Sequence, residues 1–439
     1  MAIGTDNDIE HHGAKCMINR FKQIAGKIYN STFVRAAVGI FSTKIASLVI
    51  GLVTSVVTAR GLGPAGKGLV ATVNSIYGTG AQFANLGLHS ANTYNIARDR
   101  QAIKPAFADS FWLCVVTGGI CAAVFCVSLP QGGLMGLGPG LTAIALLMVP
   151  LSLMLMFAEN LLLAAKDVTG FNEAVFAKSL LQMLLVAAAF AAGALVPQIA
   201  SLCSLIVIAA VLAFCIFRIG KRVDGISFRF SATYLSGAAG YSFFAYLSNL
   251  FAYLLLRADV MIAKLYLADA AVGQYSLAVN MSDMIGMVNT SIASLLVPKL
   301  AAIQDPKIRK KTFFRIFKTT GFLMFGISAA VFLLAKPVVL LLYGRDYAPS
   351  VEPLKILAIA NFFQFSFNFL FQYLAACGEA RKTVFPVFVG MMTNFIFNFY
   401  FVRRFGIHGV ALASLIAYFV VFVVTLPSIR KEMKKANSR

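Results

Sequence analysis

The 439-residue chain is 59% hydrophobic and only 13% charged, with a mean hydropathy of +0.81 and a formal net charge of +21. Soluble domains carry about 25% charged residues, so this composition argues against a soluble enzyme or binding module. It fits a polytopic membrane protein, in which apolar runs of about 20 residues cross the hydrocarbon. Backbone satisfaction in lipid leaves helices or closed barrels, and the long uninterrupted apolar runs select helices. The positive charge is spread over short loops between these runs, which is the positive-inside pattern and not the clustered patch of a nucleic-acid-binding module.

Residues 1–35 read as a polar cytoplasmic tail carrying Lys15, Arg20, Lys22 and Lys27, with a short amphipathic helix expected along the membrane from Cys16 to Tyr29. No cleavable signal is visible, so the first span is expected to act as an uncleaved anchor. Twelve spans follow, at 36–59, 68–94, 107–129, 141–164, 174–196, 199–217, 235–266, 272–297, 315–335, 353–376, 383–402 and 408–428. Gly and Pro punctuate the joins, as in Gly61-Leu62-Gly63-Pro64, Gly138-Pro139-Gly140, Pro197, Pro337 and Gly406. With the N-terminus inside, 28 of the 38 Lys and Arg residues fall in inner segments, so both termini are expected in the cytoplasm. Lys166 and Lys178 are counted in one of those inner segments.

The chain divides into an N-lobe of spans 1–6 (36–217), a cytoplasmic linker (218–234), a C-lobe of spans 7–12 (235–428) and a basic cytoplasmic tail (429–439). A repeat supports the division: Leu62 through Gly68 is echoed by Leu267 through Gly273 at an offset of 205 residues. Six spans per half is even, so the halves repeat in parallel orientation about an axis along the membrane normal. The seven cysteines include no CxxC pair and read as small apolar residues.

Polar stripes run inside several spans at helical spacing. Span 1 carries Lys44, Ser47, Gly51, Thr54, Ser55 and Thr58, and span 2 carries Asn74, Gly78, Gln82, Asn85, His89 and Asn92. Span 7 carries Ser242, Tyr246, Asn249, Tyr253, Arg257 and Lys264, and span 8 carries Asn280, Asp283, Met287, Ser291 and Ser294. Asn361, Gln364, Asn368 and Gln372 in span 10, with Asn394 and Asn398 in span 11, read equally well as interhelical glue. The first two spans of each half are expected to line a wet central cavity, because polar side chains facing lipid are costly. Candidate cavity residues are Lys44, Asn74, Gln82, Asn85, Asn249, Arg257, Lys264 and Asn280. An Arg there suits a phosphate, since its planar fork donates two parallel hydrogen bonds. Arg257 and Asp259 are two apart on a helix and do not face each other, so each is expected to find a separate partner or water. Asp259, Asp283 and Glu159 are the intramembrane acids, able either to carry a coupling Na+ or H+ or to balance nearby cations. His89 reads as a hydrogen-bonded packing residue. No carboxylate pair, nucleophile set, metal-ligand spacing or phosphate loop is present, so no enzyme activity, catalytic residue, metal or bound cofactor is expected.

Three stretches resemble one family. These are Arg60-Gly61-Leu62-Gly63-Pro64 with Gly66-Lys67-Gly68-Leu69, then Asp259 followed by Val272-Gly273-Gln274-Tyr275, and then Cys377-Gly378-Glu379-Ala380-Arg381-Lys382 running through Asn394 and Asn398 to Gly406-Ile407-His408-Gly409. Together and in this order they resemble the polysaccharide exporters, or O-antigen flippases, of the multidrug/oligosaccharidyl-lipid/polysaccharide (MOP) superfamily. The resemblance implies an all-α integral membrane fold, two six-helix lobes around a V-shaped central cavity lined by spans 1, 2, 7 and 8. It implies alternating-access translocation of an undecaprenyl-diphosphate-linked oligosaccharide in the bacterial inner membrane. The implied partners are that lipid-linked glycan, membrane lipid and other polysaccharide-assembly membrane proteins. A cation-coupled multidrug exporter of the same superfamily is the first alternative, and an integral membrane polymerase or ligase, which would need a large outer loop, is a weaker one.

Overall fold

A computed structural model describes residues 32–222 and 228–438, and the long helices follow the apolar runs. The expected tail helix from Cys16 to Tyr29 lies outside the described residues. Eleven α-helices occur: α1 (Thr32–Ala84), α2 (Leu88–Arg98), α3 (Ile103–Ser128), α4 (Gly138–Ala164), α5 (Val168–Ala191), α6 (Pro197–Arg222), α7 (Ala232–Tyr266), α8 (Asp269–Ala301), α9 (Pro306–Tyr343), α10 (Val351–Ala376) and α11 (Val384–Ser438). No strand occurs among the described residues.

Helices α1 and α11 are each two spans joined by a bend, and α2, at 11 residues, is too short to cross, so the described spans number twelve. Gly63 takes φ 65°, ψ 179°, a conformation that favours glycine, and Pro64 then starts the second half of α1 with its ring already at a helical φ. Gly406 makes the second bend, at φ 55°, ψ −134°. Nine described helical segments are long and apolar enough to cross a membrane, counting each bent pair once. Helix α8 is not among them and carries Asn280, Asp283 and Asn289 in its middle. Phe322, Leu333, Leu341 and Val127 stand at least 70% exposed, an outward apolar surface that suits lipid. The chain is an all-α, multi-pass membrane protein.

Several boundaries differ from the sequence reading, for local reasons. Span 2 does not continue to residue 94. Leu86 (φ 47°) and Gly87 (φ 83°) break it after Ala84, and the Asn85 side chain accepts a hydrogen bond from His89 N at 3.1 Å, starting α2 on a new axis. Helix α5 starts six residues before the expected 174, because buried Asp167 caps it by accepting from Gly170 N at 3.0 Å. Lys178 therefore sits ten residues inside α5 and not in an inner loop. Residues 429–438 continue α11 as helix, held by Glu432 to Lys382 at 2.8 Å.

All the chain turns at Gly63, 129–137, 192–196, 267–268, 344–350 and Gly406 lie at one end of the bundle, here the bend end; the C-terminus lies at the other. The N-lobe packs around α4, whose Met148, Leu153, Phe157 and Leu161 are fully buried. The C-lobe has an aromatic core of Phe313, Phe365, Phe369 and Tyr373. Beyond α6, residues 228–231 lie along the N-lobe. Phe228 packs edge-on against Phe111 at 5.0 Å, Trp112 Nε1 donates to its carbonyl at 2.8 Å, and Ser231 N donates to Asp109 Oδ1 at 2.8 Å.

The lobes meet at the bend end through the two repeated joins, and again farther along α1 and α7, where Tyr246 Oη donates to Phe83 O at 2.8 Å. A Cβ on Gly68 would overlap the Asp269 carbonyl oxygen, and a Cβ on Gly273 would overlap the Pro64 carbonyl oxygen. Both pairs are related by the same 205-residue offset, so the second half of α1 and the start of α8 cross backbone to backbone on the pseudo-twofold axis. Around this crossing, Arg60 donates to Leu342 O and Leu341 O, both at 2.7 Å, capping the C-terminal end of α9 across the lobe boundary. Tyr347 Oη donates to Ala59 O at 3.1 Å. The bend end is sealed by these contacts.

Candidate functional site

Two adjoining polar cavities lie beneath the seal. The first is a cleft of about 300 Å³ between the lobes, lined by Asn74, Tyr77 and Gly78 of α1, Tyr253 and Arg257 of α7, and Ser276 and Asn280 of α8. The second is a pocket of about 340 Å³ within the N-lobe, lined by Gly51, Thr54, Ser55, Thr58 and Lys67 of α1, Lys178 and Gln182 of α5, and Ser204 of α6. Asn74, Tyr77 and Asn280 line both, so the cavities share a wall.

Arg257 Nη1 donates to Asp283 Oδ2 at 2.7 Å, and both side chains remain over 40% exposed. The pair bridges α7 and α8 and leaves most of the guanidinium's five donors available. Asp259 takes a different partner. It is 3% exposed and accepts from Tyr275 Oη at 2.5 Å and from Val260 N at 2.8 Å. Ser414 lies close to Tyr275, Asn394 Nδ2 donates to Ser414 Oγ at 3.4 Å, and Asn398 Nδ2 donates to Asn394 Oδ1 at 2.8 Å. This chain of buried polar groups runs through the C-lobe, away from the cleft.

Of the eight cavity candidates, Asn74, Arg257 and Asn280 come together in the cleft. The other five line neither cavity. Asn85 is buried in the cap of α2. Lys264 pairs with Asp269 across the α7–α8 turn. Lys44 and Gln82 are half-buried and Asn249 is exposed, each outside both linings. The break at Leu86–Gly87 explains part of this, since it turns the lower half of the span 2 stripe into the N-lobe. There His89 meets Asn160 Nδ2 at 2.8 Å and Asn92 Nδ2 donates to Ser110 Oγ at 3.0 Å. Glu159 lies near Lys178 in the N-lobe. The side chains of Ser242, Ser291 and Ser294 lie outside the described set. Asn361 Nδ2 donates to Ser282 Oγ at 2.8 Å within the C-lobe.

Two cavity residues, Lys67 and Lys178, do not emerge from the stripe pattern. Lys178 falls near the start of the expected span 174–196 and is counted there with the inner-segment cations, whereas the helix cap places it ten residues inside α5. Lys67 did carry a signal: a lysine in the first turn of a helix sits against the macrodipole, an unfavourable place for a purely structural cation.

Comparison with known proteins agrees with this architecture. The profile of a family described as polysaccharide biosynthesis protein matches residues 57–352. No curated protein sequence matches the chain. Among solved structures, the chain resembles the lipid II flippase MurJ in an inward closed conformation (TM-score 0.72, 14% identity, 90% of this chain and 89% of that one). It also resembles an inward-facing multidrug resistance MATE family transporter of the MOP superfamily (0.75, 15%, 92% and 99%). An outward-facing MATE family transporter of that superfamily fits less well (0.65, 15%, 92% and 96%). At these identities the likeness carries the fold alone. With its family profile covering well over half of the sequence, the chain belongs to the polysaccharide biosynthesis protein family and has the fold of the MOP superfamily.

Proposed function

We propose that the protein is a flippase that moves an undecaprenyl-diphosphate-linked oligosaccharide, an O-antigen, capsule or exopolysaccharide unit, across the bacterial inner membrane. The observation that carries this reading is the polar cleft holding Arg257 between two lobes whose contact at one end is a glycine crossing. Such a site can be exposed alternately to the two sides by rocking the lobes. The tail end would face the cytoplasm, following the Lys and Arg bias of its loops. The polar head would enter the cleft from that side while the prenyl chain stays in lipid. Arg257 would meet the diphosphate as it arrives, using donors that Asp283 leaves unoccupied. Other membrane proteins of polysaccharide assembly would supply and consume the lipid-linked unit.

The test is deletion in the source bacterium, with lipid-linked sugars extracted and sorted by membrane side. The expected result is a diphosphate-linked glycan accumulating on the cytoplasmic side, with loss of surface polymer. Unchanged glycans with new sensitivity to cationic dyes would instead establish the drug-exporter alternative.

Among the three acids, Asp259 is the one the geometry favours for Na+ or H+ coupling. Asp283 is already paired with Arg257 and Glu159 lies by Lys178, whereas Asp259 is bonded by a hydroxyl and a backbone N–H. Asp259→Asn is expected to remove the dependence of transport on an imposed ion gradient in vesicles, with protein level unchanged. Retained gradient dependence would rule out this assignment.

A further inference from the structure

The N-lobe pocket has a charge pattern that the cleft does not. Among the described residues its wall carries two lysines, Lys67 and Lys178, and no carboxylate. Neither lysine forms an ion pair among the described residues. Lys67 is 6% exposed, and among the described residues its ammonium donates only to one neutral partner, to Ser55 Oγ at 3.1 Å and Ser55 O at 3.4 Å. Glu159 is the acid that Lys178 feels, and it stands outside the lining. A buried ammonium such as that of Lys67 is costly without a counter-charge, and the exposed Lys178 adds a second positive charge to the same wall. By contrast, the cleft's Arg257 is already balanced by Asp283 at 2.7 Å. The remaining wall is rich in neutral hydrogen-bonding groups: Gln182, whose Nε2 donates to Ser204 Oγ at 3.1 Å, and Asn74. Cations flanked by amides and hydroxyls in a cavity of about 340 Å³ are what an oxyanion requires.

We infer that the N-lobe pocket is a second, stronger anion site, in which Lys67 and Lys178 hold a phosphate or diphosphate group. The group would arrive through the wall shared with the cleft at Asn74 and Asn280. It comes either from free inorganic anion or from the head of a polyprenyl phosphate lipid; for the second source alone the inference rests on the flippase reading. In that case Arg257 receives the diphosphate and the two lysines retain it.

Purified full-length protein in maltoside micelles should be titrated calorimetrically with inorganic pyrophosphate and, separately, with undecaprenyl phosphate. Binding of pyrophosphate, weakened about tenfold by Lys67→Met and by Lys178→Met, is the expected result. Binding of undecaprenyl phosphate alone, with the same dependence on the lysines, would support the site and identify the lipid head as its source. Should Lys67→Met fail to fold, Lys178→Met and Gln182→Leu report on the same cavity. No binding of either probe to the unaltered protein overturns the inference. So does binding that Arg257→Met removes and the lysine variants leave intact. The deletion strain separates the two readings: pyrophosphate binding by a protein whose loss leaves surface polymer intact keeps the anion site and discards the flippase.

Discussion

Gly273→Ala is expected to open the bend end and to stop export. The added methyl would occupy the position of the Pro64 carbonyl oxygen, and Gly68→Ala would do the same to Asp269. In both cases the obstacle is backbone, so no rotamer change relieves it, and the helices must separate. Overpacking of this kind costs on the order of 3 kcal/mol. That is sufficient to shift the ratio of sealed to unsealed protein by about two powers of ten. Ser55 lies beneath the seal, within 3.5 Å of Tyr343 from the opposite lobe, and serves as the reporter. In a cysteine-free background, Ser55→Cys should resist an impermeant thiol reagent added from the bend-end side. The same cysteine should react readily once Gly273→Ala is introduced. Equal labelling in both proteins would show that the crossing does not close this end.

Arg257→Ala should abolish export with the protein still inserted at normal level. The substitution removes the only cation among the described residues that line the cleft and leaves Asp283 without its 2.7 Å partner, so the site changes from balanced to acidic and repels a diphosphate. Arg257→Lys should retain a reduced activity, because the charge survives while the bidentate fork is lost. Asp283→Asn should act in the opposite sense at the binding step. It frees the guanidinium, so the lipid-linked glycan should bind more tightly and turn over more slowly. Surface polymer, together with lipid-linked glycan co-purifying with each variant, distinguishes these outcomes. Normal polymer in Arg257→Ala at normal expression would remove Arg257 from the substrate path.

The fold was legible because its determinants are local and repeated. Apolar run length gave the spans, and the Gly63-Pro64 and Gly406 bends stand where glycine and proline interrupt long hydrophobic stretches. The separate partners of Arg257 and Asp259 follow from helical spacing alone. The cavity was less legible, since periodicity says which side chains share a face but not what the face meets. Asn85 shares the stripe of Asn74, yet two left-handed residues after it redirect the chain and make it a cap. Lys264 has the spacing of Arg257 but lies close enough to the α7–α8 turn to pair with Asp269. Lys178 falls only four residues into its expected span and so counts with the inner-segment cations, because the true start of α5 depends on one capping residue, Asp167, and on its tertiary burial. Hydrophobicity registers such an acid only as a loop signal.

The reciprocal contact of Gly68 with Asp269 and of Gly273 with Pro64 has the form of an isologous interface, in which the same patch is used by both partners. In assembly terms the chain is a tethered dimer of two six-span protomers. The self-complementary surface exists in each half before they are joined. The strap of residues 228–231, held along α3 by Trp112 and Asp109, therefore does not shape the seal. It fixes a one-to-one stoichiometry and keeps the second protomer at a high effective concentration, so that the two halves diverge freely in their cavities while the contact on the axis keeps them in register.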